Sequence, residues 1–166
     1  MNRNLTFEIS SCKDYFEQIV LPSVEAYNTD PLSYRKALSV AIFCWQFSDW
    51  IFNSYKNKIK KQFQKDGIII KDCKDYQSQL MKKQYFSFIS QIAIGAKHLK
   101  CSDSRIQTIS STQKETGFFQ GLLGLGTVTY LTIKVMSRRY YFQRELKRCI
   151  DYWNVVMIEL DIYCSN

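Results

Sequence analysis

The residues with the most chemistry in this chain stand close together. His98, the single histidine, lies between Lys97 and Lys100, with Arg105 shortly after. A neutral imidazole near pH 7 can take or give a proton. Cationic side chains beside it can hold a phosphate and the charge that develops on it. His98, Lys97 and Arg105 are therefore the catalytic candidates for cleavage of a phosphodiester without a metal. The same histidine also suits a helix end, where it bonds the last carbonyls and favours the dipole. The residues leave both readings open.

A second basic set follows later in the chain: Arg138, Arg139, Arg144, Lys147 and Arg148. Read as the start of the last helix, it places bidentate donors where a helix N-terminus already attracts anions. Tyr140 and Tyr141 beside it could stack on exposed bases. With Lys100, these five form the nucleic-acid-binding candidates. The competing reading is a solvated face with two tyrosines at the edge of the core. The formal net charge of +8, from 23 Lys and Arg against 15 Asp and Glu, suits a polyanionic partner.

Other chemistries lack their residues. The six cysteines contain no C-x-x-C pair, and one histidine is too few to complete a zinc site, so no metal or cofactor is expected. Cys44 and Cys149 fall on apolar helical stripes, which suits free buried thiols. The stretch from Gly121 to Gly126 precedes a strand, whereas a phosphate-binding loop follows a strand and opens a helix. Asp49 sits inside a long apolar helix and needs a partner, either a structural bond or a site shared with His98. The start of the chain lacks the apolar region of a signal peptide, and a cytoplasmic location is expected. Gly117–Met136 is long enough to cross a bilayer. Its glycines, threonines, Gln120 and Lys134 favour a strand pair instead, so no membrane span is expected.

These groups have to be positioned by a small number of elements. A helix is expected over about Ser11–Tyr27, kinked or split by Pro22. Asp30 and Pro31 signal the start of a long central helix, about Leu32 to Lys65, with a solvated lysine tail. Asp66-Gly67 ends it, and Ile68–Ile70 reads as an apolar plug or a short strand. A third helix is expected over about Asp75–His98, with Gln84, Ser87 and Gln91 on a polar line leading to His98. Cys101–Glu115 has loop composition, with a short strand at about Arg105–Ser110. Thr127–Val135 is the best strand, and a glycine-rich hairpin spans roughly residues 105–136. The last helix is expected over about Ser137–Tyr163. The whole is one domain, residues 1–166: a mainly α, four- or five-helix bundle with a β-hairpin inserted before the C-terminal helix.

The order of elements carries a resemblance. A long helix contains Phe47-Ser-Asp-Trp50, the next ends in Ala96-Lys-His98, and the closing helix contains Cys149-Ile-Asp-Tyr-Trp153. The pattern resembles a group of bacterial helical-bundle proteins whose third helix ends in a Lys-His pair, and more broadly the HEPN superfamily. That resemblance implies a bacterial defence or toxin–antitoxin setting, a homodimer, and in many members metal-independent ribonuclease activity from an arginine and a histidine. No arginine precedes His98 at the family spacing, where the chain reads Gln91, Ile92, Ala93 and Ile94. Only His98 carries over. Three functions follow as expectations: a module that binds RNA or a protein partner, a ribonuclease using His98, or a structural or regulatory subunit that docks another protein.

Overall fold

A computed structural model describes residues 9–95, 109–121 and 124–163, the side chains of 117–128 excepted. It is mainly helical, with a small antiparallel sheet before the C-terminal helix.

The chain enters through α1 (Cys12–Tyr15), a π-helical turn (Phe16–Val20) and α2 (Leu21–Thr29) in one continuous run. Ser11 opens it with a capping box: its hydroxyl accepts the Asp14 N–H at 3.0 Å, and the Asp14 carboxylate accepts the Ser11 N–H at 3.0 Å. Pro22 does not interrupt the helical run. It sits in the first turn of α2, and the register widens just ahead of it, where the Leu21 N–H bonds the Phe16 carbonyl. The wide turn accommodates a ring that would otherwise clash with the carbonyl four residues back.

Helix α3 (Tyr34–Lys65) is the central rod. Its cap is Ser33, whose hydroxyl accepts the Lys36 N–H, and not Asp30. Asp30 lies in the preceding turn, where its carbonyl accepts the Ser33 N–H. Tyr55 departs from helical geometry (φ −123°, ψ 26°) and bends the rod. Gly67 ends it at φ 72°, and Ile68 N–H reaches the Phe63 carbonyl while Gly67 N–H reaches Gln64. This is the double closure of a Schellman motif. Ile70 then plugs the core, and no strand forms there.

The expected third helix is two: α4 (Cys73–Met81) and α5 (Gln84–Gly95). Lys82 and Lys83 turn the chain between them, their N–H groups closing on the carbonyls of Gln79 and Leu80. The turn lets each helix bury its own rings. Tyr76 of α4 packs on Phe52 and Phe63 of α3. Phe86 of α5 meets Tyr152 and Trp153.

The sheet is β1 (Ser111–Gly121), β2 (Gly124–Val135) and β3 (Arg138–Tyr141), in that spatial order. The β1–β2 register runs from Ser111 opposite Lys134 to Gly121 opposite Gly124. Two expectations are corrected here. Ser111–Glu115 is strand and not loop, and Arg138–Tyr141 is a third strand and not the first turn of the last helix. Thr132 pairs with Tyr141, and Val135 with Arg138. Leu131, Ile133 and Val135 are buried, so the sheet is anchored through its middle strand. Helix α6 (Phe142–Glu159) follows directly.

The core is built from rings on α3, α5 and α6. Trp153 is fully buried, meets Phe47 and Phe86 edge-on, and donates its indole N–H to the Cys44 carbonyl at 3.2 Å. Large rings in edge-to-face contact bury much area with defined geometry. Among the described residues, no helix is long and apolar enough to cross a membrane.

Candidate nucleic-acid interface

His98, Lys97, Lys100 and Arg105 lie outside the described residues. The polar line expected to lead to His98 is described: it starts exposed at Gln84 and runs inward. Ser87 is buried, and Gln91 is half-buried. The Gln91 amide donates to the Ser87 carbonyl and hydroxyl, both at 3.1 Å, and its oxygen accepts the Ile109 N–H at 2.9 Å. Gln91 thus ties the chain just before β1 to α5. Ile109 itself is partly buried against the core.

Asp49 resolves as a structural bond. Its carboxylate accepts from the Cys73 thiol and the Gln77 amide, each at 3.1 Å, while Gln77 also donates to buried Ser48 at 2.9 Å. Burial and the neighbouring Asp49 and Asp72 carboxylates push the Cys73 thiol up to about 12. It therefore stays protonated and donates. The described cysteines Cys12, Cys44, Cys73 and Cys149 are free thiols.

The second basic set is dispersed by the fold. Arg138 and Arg139 are exposed on β3, in the strand ahead of α6 and not in its first turn. Arg139 reaches Glu115 of β1 at 3.2 Å. Arg148 bonds Glu145 at 3.4 Å, and that carboxylate is only 2% exposed. Lys147 pairs with Asp151 at 2.8 Å along exposed α6. Arg138 and Arg144 make no ion pair with any described residue. The two tyrosines also part company, because successive strand residues face opposite ways. Tyr140 turns inward, its ring 4.8 Å from that of Phe88. Tyr141 turns outward, 50% exposed, with its ring 4.9 Å from Tyr130.

Around Tyr141 the surface is concave. A cleft of about 740 Å³ lies between the end of α2, the middle of β2 and the start of α6. Tyr130, Tyr141, Gln143, Arg144 and Lys147 are among its walls. No side chain caps the first turn of α6 at this edge. Arg148 lies elsewhere, in a shallow recess with Lys83 and Tyr152. Tyr130 was not among the candidate residues. It is remote from Tyr141 in sequence, and only the β2–β3 register makes them diagonal neighbours.

No family model, curated protein or solved structure matches the chain.

Proposed function

We propose that this chain is an RNA-binding module of the HEPN-like kind, serving a bacterial defence or toxin–antitoxin system. The observation that carries the reading is the combination of a +8 net charge with exposed Arg138 and Arg144, which no described carboxylate neutralises. Unpaired surface guanidiniums on a basic protein raise the local concentration of a polyanion and release its counterions on contact. The internal ion pairs of Arg139, Lys147 and Arg148 reduce the share those residues contribute.

Fluorescence anisotropy with a labelled single-stranded RNA, titrated across rising salt, tests this. Affinity is expected to fall with a log–log slope of about −2 to −3, set by a few phosphate contacts. The double variant Arg138→Glu, Arg144→Glu is expected to abolish most of it. A salt-independent affinity, or none at low salt, would overturn the reading. Running the same samples on a denaturing gel, beside His98→Ala, separates binding from cleavage: loss of RNA that depends on His98 assigns a ribonuclease. A stable hetero-complex on co-purification, with no RNA affinity, assigns a protein-docking subunit.

A further inference from the structure

We infer that the cleft at the start of α6 seats one unpaired nucleotide of single-stranded RNA, its base against Tyr141 and its phosphate against Arg144. The inference rests on the RNA-binding reading and makes it specific to single strands.

Four observations converge on this occupant. The cleft's volume, about 740 Å³, falls inside the range of roughly 300–1,000 Å³ usual for small-ligand sites. It therefore has room for a base, sugar and phosphate together. Tyr141 is half exposed and braced by Tyr130 at a centroid distance of 4.9 Å and an angle of 53°. That leaves ring surface open to the cleft and fixes its orientation. Any base can stack on such a ring, because every base has a π-face. Arg144 lines the same cleft, is exposed, and has no ion pair with a described residue. A guanidinium of this kind matches a phosphate bidentately.

Polar and apolar walls are distributed to suit the two halves of a nucleotide. Val24, Tyr27, Leu146 and Ile150 give the apolar wall, and Gln143 adds an amide able to bond a base edge. Asp151 also lines the cleft, but Lys147 holds it at 2.8 Å, so its charge is answered within the protein. A duplex cannot use this site. Its bases are stacked and paired, and a ring platform needs one splayed out.

The test compares a labelled single-stranded oligoadenylate with a duplex of equal length, using the full chain. Tyr141→Ala is expected to weaken the single strand about tenfold while leaving its salt slope unchanged. Tyr141→Phe is expected to stay within about twofold of the parent, since stacking needs the ring and not the hydroxyl. Arg144→Ala is expected to lower the salt slope by about one. Duplex affinity is expected to be unaffected by Tyr141→Ala. If that variant, shown to be folded by its circular dichroism and melting, binds the single strand as well as the parent, the cleft inference is overturned and RNA binding stands. If the parent binds no RNA, both fall together. If adenosine monophosphate alone binds as tightly as the oligonucleotide, the cleft belongs to a free nucleotide and the inference also fails.

Discussion

The two ends of α6 are built in opposite ways. The C-terminal end is closed. Lys58 of α3 donates to the Leu160 carbonyl at 2.9 Å and reaches Asp161 at 3.4 Å, while Gln62 holds Glu159 at 2.9 Å. Asp161 takes a left-handed φ of 58°, and Ile162 N–H returns to the Met157 carbonyl at 2.9 Å. The last carbonyls of a helix are orphans, and here the protein itself satisfies them. The N-terminal end is open. Tyr141 supplies no capping bond, and the turn borders a cleft with an aromatic and a cationic wall. One helix therefore carries a finished end, fastened to the core, and an unfinished end where an outside group can supply what the chain does not.

The contrast can be broken first in the middle, where both ends depend on the same anchor. Trp153→Ala removes a fully buried ring and an indole bond to the Cys44 carbonyl. A loss of about 3–5 kcal/mol is expected in denaturant unfolding. Next comes alkaline pH. Burial, the largest cause in each case, pushes Tyr15, Tyr27 and Tyr152 from an ordinary 10.0 up to about 12. Cys73 is pushed from 9.0 to about 12. The unfolded chain releases these protons near pH 9 to 10, and the folded chain holds them until about 12. Stability is therefore full below about pH 9 and falls as pH rises through that window. Melts at stepped pH check it, and Cys73→Ser is expected to flatten the lower part of the fall.

The two ends themselves give the smaller effects. Lys58→Met keeps the stem but removes the bond to Leu160, and about 1 kcal/mol of stability should go with it. RNA affinity should hardly change, because this end is structural. Tyr141→Asp does the reverse. It offers a cap to the open turn, worth about 1 kcal/mol, and loses the ring contact with Tyr130, worth roughly half of that. A net gain of about 0.5 kcal/mol in urea unfolding is expected, together with collapse of single-strand binding. Equal effects of the two variants on stability and on affinity would erase the distinction between the ends.

The helical frame was legible because its signals are periodic. Ala37, Val40, Ala41, Cys44, Phe47 and Ile51 all lie in the core, as their spacing on a central helix implied. The Asp66-Gly67 stop was legible because a left-handed position there calls for glycine. What could not be read were reversals made without glycine or proline. Met136 turns β2 into β3 at φ 52°, with its N–H on the Ser110 hydroxyl at 3.2 Å. A methionine gives no sign of such a turn, so Arg138–Tyr141 merged with the helix behind it. Lys82 and Lys83 break α4 from α5 just as silently. The polar run at Ser111–Glu115 hid β1: its exposure alternates along this edge strand, but both faces carry polar residues, so the sequence shows no apolar alternation. The cleft depends on β3, and so it was invisible as a unit. The lysine tail is solvated at Lys58, yet Lys58 and half-buried Lys60 both also hold backbone carbonyls. Lys60 donates to the Lys71 carbonyl at 2.8 Å, tying the helix end to the connector.

The wide turn at Phe16–Val20 has an effect beyond making room for a proline. Each residue of an α-helix advances about 100°, so Phe16 and Tyr27 would point almost the same way along an uninterrupted rod. The extra residue sets the second half out of phase with the first. Tyr15 stacks on Trp50 and Phe16 packs tilted against Phe47, both on α3, and Tyr27 instead meets Phe142 edge-on, 5.2 Å away, at the first residue of α6. One inserted residue thus lets a single rod serve two walls of the bundle. It also makes the position of the cleft's α2 wall a matter of helical phase: removing one residue from this turn would rotate Tyr27 off Phe142 while leaving every residue of the cleft in the chain.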